Sequence, residues 1–257
     1  MTRVITILSG KGGVGKTTLT FNLGVALTDM GKNVLIIDGN LTTPNLGIHA
    51  GIPAYENTLH DVLKGKIDIF DAIRILPYGL KILPASINVR DLEGLNPELL
   101  PAYIIDLVGK IDIVLIDGAA GLGREAVSAL KASDEVLGIA TPDIPALTDL
   151  IRLAKIAERL KKIYTGTVIN RVSNKSYEVS KEQISSFLED LPIIETIPED
   201  KSVPLALKKR MPVLHLNPKA RASRKIMAIA HKILGLEYKE KIPWRERLFK
   251  FFGLSLD

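Results

Sequence analysis

The 257-residue sequence contains no cysteine. That absence excludes a disulfide, a thiol nucleophile, a cysteine zinc site and an iron–sulfur cluster. Nor does any apolar run reach the ~18 residues that a membrane-spanning helix needs. Aromatic residues are scarce at 5%, with a single tryptophan, so the place where they gather is informative. The four histidines, His49, His60, His215 and His231, show no metal-ligand spacing and read as packing or surface residues. The opening residues, MTRVITILSG, run straight into a β-like segment with no basic, apolar and small-residue succession, which points to a cytoplasmic protein.

What is present is a chain able to bury a core: 46% hydrophobic and 25% charged residues exclude disorder. The net charge of +5 is unevenly placed, because residues 201–257 hold 14 of the 34 Lys and Arg but only four of the 29 Asp and Glu. A basic end on an acidic body suggests an anionic contact, either a bilayer surface or nucleic acid.

Short β-branched runs at 4–8, 34–38, 80–83, 113–117, 135–140, 166–170 and 192–196 alternate with stretches of helical spacing. Those stretches lie at 16–30, 97–109, 123–132, 144–162, 178–190 and 219–235. Alternation of this kind predicts an α/β fold, a mostly parallel multi-stranded sheet with helices on both faces. One domain over 1–235, a charged tether over 236–243 and a tail over 244–257 fit the composition.

The first predicted strand leads into Ser9-Gly10-Lys11-Gly12-Gly13-Val14-Gly15-Lys16-Thr17-Thr18, and Gly10 to Thr17 fits G-x-x-x-x-G-K-[ST] between a strand and a helix. Glycines let successive N–H groups converge on phosphate oxygens, and the start of the helix adds its positive end. Lys16 would reach the outer phosphates, Thr17 would enter a Mg²⁺ shell, and Thr18 would lie near the inner phosphate. Asp38 and Asp117 each close an apolar run, where open α/β sheets place their ligands. Asp38 there can hold a Mg²⁺-bound water or the attacking water. Asp117, followed four residues later by Gly121, gives a D-x-x-x-G arrangement suited to a Mg²⁺ water and a phosphate-sensing switch.

The stretch KGGVGKTT (11–18) resembles the deviant Walker A motif of the ParA/MinD family of P-loop ATPases. The likeness continues, most closely to MinD-like members, through IDGNLTTPNLGI (37–48), IDGAAGLG (116–123), ATPDIPALTD (140–149), Asn170-Arg171 and IPEDKSVPLALKKRMPV (197–213). It implies ATP or ADP with Mg²⁺, an ATP-dependent homodimer, and ATP hydrolysis. By resemblance Lys11 is the signature lysine that crosses to the partner's nucleotide, Asn170 reads adenine beside Arg171, and Pro198, Glu199 and Asp200 close over the base. MinD-like proteins normally carry a second aspartate two residues after the one at Asp38, but this chain has Asn40. An amide orients a water without accepting its proton, so hydrolysis is expected to be slow or to rest on Asp38.

In the tail, Trp244, Leu248, Phe251 and Phe252 share one side of a helix at about 100° per residue, with Phe249 at its edge. Arg245, Arg247 and Lys250 supply cations around them. Half of the six phenylalanines and the only tryptophan collect here. Such a helix suits an anionic bilayer surface, and pairing two of them in a dimer adds avidity. The resemblance implies a peripheral place on the inner face of the cell membrane, a role in spatial organisation such as division-site placement, and a protein regulator or cargo. Two alternatives stay open. A DNA-partitioning ATPase would use Lys208, Lys209, Arg210, Lys219, Arg221, Arg224 and Lys225 on phosphates. A metabolic P-loop ligase would need neither Lys11 nor the tail.

Overall fold

The strand residues separate by parity. In the second strand Val34 and Ile36 enter one apolar cluster while Leu35 and Ile37 enter another, as the two-residue period of an extended chain requires when both faces are covered. The computed structural model describes residues 1–52 and 56–240. Among them, eight strands form one sheet: β1 (Arg3–Ser9), β2 (Val34–Gly39), β3 (Arg74–Ile75), β4 (Lys81–Leu83), β5 (Ile113–Ala120), β6 (Glu135–Ala140), β7 (Ile163–Val172) and β8 (Ile193–Pro198). Their order is β3-β4-β2-β5-β1-β6-β7-β8, parallel throughout except for the antiparallel β3–β4 pair. The parallel sheet with helices on both faces is thus as expected. The two-residue β3 was not expected, since two residues carry no alternation to read.

Ten helices are described: α1 (Lys16–Asp29), α2 (Leu46–Ala50), α3 (Leu59–Leu63), α4 (Leu100–Ile105), α5 (Arg124–Ala132), α6 (Ile144–Arg159), α7 (Lys181–Leu188), α8 (Ser202–Lys208), α9 (Val213–Leu216) and α10 (Arg221–Ile233). α1, α9 and α10 share a cluster with Ile5, Ile7, Ile36 and Leu115 on one face. α3, α4 and α5 cover Val4, Leu35, Ile37 and Val114 on the other. Where helical periodicity was read over 97–109, Pro97 starts a short 3₁₀ turn and α4 ends at Ile105, with turns to follow. α2, α3, α8 and α9, four to seven residues each, are too short to show a 3.6-residue stripe.

The described part of the expected tether lies against α10. Glu240 Oε1 accepts from Arg224 Nε at 3.0 Å and its Oε2 faces Lys225 Nζ at 3.2 Å, while the rings of Tyr238 and His231 stand 4.8 Å apart. Residues 241–257, including every residue expected to meet a membrane, lie outside the described residues. Among the described helices none is long and apolar enough to cross a membrane.

Candidate functional site

Three adjacent parallel strands, β2, β5 and β1, bring sequence-distant groups level. Asp38 on β2 pairs in register with Asp117 on β5, and Asp117 pairs in register with Ile7 on β1, just before the glycine-rich loop. Both carboxylates are fully buried. Asp117 Oδ1 accepts from Lys16 Nζ at 3.0 Å and from the Thr20 hydroxyl at 3.3 Å, and its Oδ2 accepts from the Thr17 hydroxyl at 2.6 Å. Lys16 is itself only 7% exposed, so the ion pair is largely desolvated and removing either partner alone would cost about 3–5 kcal/mol. Thr20 was not anticipated. Its hydroxyl also donates to the Lys16 carbonyl at 3.0 Å, which reads in sequence as ordinary helix chemistry.

Asp38 accepts from the Leu46 N–H at 3.0 Å and from the Asn40 N–H at 3.3 Å. Burial, then the neighbouring charge of Asp117, pushes its carboxyl up to about 8, against the smaller opposing effects of those amides and Lys16. Asn40 is tied to its own loop, since its Nδ2 donates to the Thr43 carbonyl at 2.6 Å and its Oδ1 accepts from the Thr43 hydroxyl at 3.1 Å.

The start of α1 lacks any side-chain cap, and its first turn holds no acidic residue. Its amide donors therefore face a cleft of about 900 Å³ lined by Lys11, Gly12, Gly13, Gly15, Lys16, Thr17 and Thr18 from the loop and by Asn40, Thr42, Thr43 and His49 across from it. Gly15 sits at a left-handed φ of 92°, and a Cβ there would stand 2.4 Å from the Asn170 amide nitrogen. Gly10 serves close approach, because its Cβ would overlap Asp149 of α6. Val14 is buried in the core and offers only backbone to the loop. Lys11 is half-exposed and lies 3.6 Å from Asp143, at the start of α6. Gly121, at φ 82°, donates its N–H to the Ser9 carbonyl at 3.0 Å.

A second cleft of about 240 Å³ opens beside the first and shares Gly13, Gly15, Thr18 and Leu207 with it. Asn170, Arg171, Pro198, Glu199 and Asp200 all line it, brought together from the ends of β7 and β8. Asn170 Nδ2 donates to the Val14 carbonyl at 2.7 Å, so the residue also braces the glycine loop. Arg171, at a left-handed φ of 61°, pairs with Glu199 at 2.9 Å and reaches the Gly13 carbonyl at 3.4 Å. Asp200 accepts from the Ser202 N–H at 2.8 Å and the Ala222 N–H at 3.1 Å, holding the starts of α8 and α10. Burial alone would raise its carboxyl, but these amides prevail and hold it below the usual range.

His49, expected from the sequence to be a packing or surface residue, lines the cleft. Its Nδ1 lies 3.0 Å from the Asn45 carbonyl, which only accepts, so in the neutral ring Nδ1 carries the hydrogen. Nε2 then accepts from the Thr18 hydroxyl at 3.1 Å. The other three do pack: His60 is buried and accepts from the Ser86 N–H, His215 meets Asp29, and His231 bonds the Met227 carbonyl.

Residues 5–213 match the CobQ/CobB/MinD/ParA nucleotide binding domain. The chain belongs to this family. An uncharacterized ATP-binding protein of Methanocaldococcus jannaschii is 35% identical over 97% of the chain and 94% of its own length. The septum site-determining protein MinD of Thermotoga maritima is 33% identical, over 91% of the chain and 89% of its own length. Among solved structures, MinD of Pyrococcus horikoshii complexed with Mg-ADP is 34% identical, superposes with a TM-score of 0.87, and covers 91% of this chain and 96% of its own. The α/β P-loop fold is that of these relatives.

Among the described residues no group of three His, Cys, Asp or Glu could hold a metal by itself. The donor set present, one hydroxyl from Thr17 beside two buried carboxylates, is the sparse kind that suits Mg²⁺ completed by water and phosphate oxygens. A carboxyl forced up to about 8 beside a second carboxylate is also a place where a divalent cation relieves repulsion.

Proposed function

We propose that this protein is an ATP-dependent dimerising switch of the MinD kind, hydrolysing ATP to ADP and phosphate and settling on an anionic membrane surface through residues 244–257. The observation that supports the reading is the meeting of two clefts at Gly13, Gly15 and Thr18, where the one lined by Lys16 and uncapped loop amides suits phosphates and the adjoining one of about 240 Å³ suits a base. Glycine-loop amides and Lys16 hold the phosphates, and Thr17, Asp117 and Asp38 hold Mg²⁺ and its waters. Bound Mg²⁺ supplies charge neutralisation at the phosphates. Asn170 and Arg171, with Pro198, Glu199 and Asp200, wall the base. Lys11 swings from Asp143 to the nucleotide of a second copy, which makes dimerisation depend on ATP. Asp38 and Asn40 place the water, with turnover slow because Asn40 accepts no proton.

The basic stretch offered to DNA is less available than its sequence implies. Lys225 faces Glu195 at 3.4 Å and Glu240 at 3.2 Å, and Arg224 pairs with Glu240 at 3.0 Å. Division-site placement is the role carried by the MinD relatives, and membrane residence is the step that decides it here. Full-length protein with ATP and Mg²⁺ should sediment with phosphatidylglycerol vesicles, and do so much less with ADP or when the chain ends at Lys241. Equal sedimentation of the shortened chain would remove the membrane from the proposal, and a single-copy mass with a non-cleavable ATP analogue would remove the dimer.

A further inference from the structure

One carboxylate lines the phosphate-side cleft among the described residues, and it is neither Asp38 nor Asp117: it is Glu125, second residue of α5. Its Oε2 accepts from the Leu41 N–H at 3.0 Å and the Thr42 N–H at 3.5 Å, and its Oε1 accepts from the Thr42 hydroxyl at 2.5 Å. These donors follow Asn40 directly, on the loop between β2 and α2. Glu125 itself follows the segment that runs from Asp117 through Gly121. A single side chain therefore joins the two loops that face the phosphate position, 84 residues apart for the Leu41 contact.

The chemistry of the joint says what it does. Three donors already occupy the carboxylate, so it is a holder of backbone rather than a free proton acceptor. Asn40 cannot anchor its loop to the opposite wall, because both ends of its amide are engaged with Thr43. Leu41 is buried, so its N–H needs a partner, and Glu125 is that partner. The opposite wall is itself tied to the glycine loop through Gly121 N–H to Ser9 and through Asp117 to Thr17.

We propose that Glu125 is a positioning residue that makes the Asn40 loop follow the Asp117–Gly121 segment, so that the water-handling group reaches its place only when phosphate has set the opposite wall. The inference rests on the ATPase reading above and deepens it. It gives the chain a carboxylate at the cleft in a holding role, where the family's usual second aspartate is missing.

The test compares the full-length parent with Glu125→Ala and Thr42→Val. Folding is checked by thermal unfolding, MgATP affinity and single-turnover hydrolysis are measured, and hydrogen exchange is followed with a non-cleavable ATP analogue and Mg²⁺. In the parent the analogue should slow exchange in both 40–45 and 117–123. In Glu125→Ala it should slow exchange only in 117–123, with hydrolysis about tenfold slower and MgATP affinity within twofold of the parent. Thr42→Val, which removes one donor of three, should fall between, and it carries the same outcomes should Glu125→Ala not fold. Equal protection of 40–45 and equal hydrolysis in the variants overturn the proposal while leaving the ATPase reading in place. A parent chain that neither binds nor hydrolyses ATP overturns both.

Discussion

The two clefts that meet at Gly13 and Gly15 are built on opposite plans. On the phosphate side a buried carboxylate and a buried ammonium, Asp117 and Lys16, form the centre, and the hydroxyls of Thr17 and Thr20 join Lys16 from the first turn of α1 onto Asp117. On the base side the walls come from residues 13–19, 170–171 and 197–226, and the ionic contacts there are half-exposed, as in Arg171–Glu199. The difference teaches where affinity and where selectivity reside. A desolvated ammonium and uncapped amides at the start of α1 give large, non-discriminating attraction for phosphate, whereas a wall assembled over a long sequence distance gives shape at a smaller energetic stake.

The largest effect should come from the phosphate side. Lys16→Ala should lower affinity for ATP and for bare tripolyphosphate alike by at least about 100-fold, the equivalent of about 3 kcal/mol for a lost charged contact. Isothermal titration checks it, and unchanged tripolyphosphate binding would show that the phosphate side is elsewhere. Asn170→Ala sharpens the contrast with an intermediate effect. It should cost ATP about tenfold in affinity and tripolyphosphate only a few-fold, the latter through the lost brace on Val14. Equal losses for the two ligands would erase the distinction between the clefts.

The smallest effect concerns stability, and here the two sides have opposite signs. Asp38 binds its proton more tightly folded than unfolded, so the nucleotide-free protein loses stability as pH rises from about 4 towards about 8. Asp200 is depressed, so its contribution is present above the ordinary carboxylate range and is lost as pH falls through its folded value. Asp38→Asn imitates the protonated form in shape and charge. It should therefore flatten the decline in melting temperature between pH 5 and 8 by several degrees while leaving the acid limb in place. A decline of undiminished slope in that variant would assign the effect to another group.

What could be read from the sequence divides along the same line. Gly10 to Thr17 is contiguous, and Asp38 and Asp117 each end an apolar strand, so the proposed phosphate side is legible in the sequence itself. That these two aspartates stand side by side was not, because strand order is a long-range property. Asn170, Arg171 and Pro198 to Asp200 were legible only through family likeness, since nothing in their spacing marks a base wall. Glu125 looks in sequence like an ordinary acidic residue in a helix's first turn. His49 lies on a five-residue helix whose existence no periodicity announces. In each case the missing information was which loop a side chain would face, which only the assembled sheet decides.

Lys11 resting 3.6 Å from Asp143, with both partners partly in water, has a consequence for timing. A mooring of that kind holds by no more than about 1 kcal/mol, so in the proposed dimer casting off would add almost nothing to the barrier for joining a second copy. The cation stays pointed and available instead of wandering in solvent or sinking into its own chain. Under the proposed switch, relocation would run at the pace of side-chain motion, far ahead of encounter between copies, and the slow beat of the cycle would be left to chemistry and to meeting.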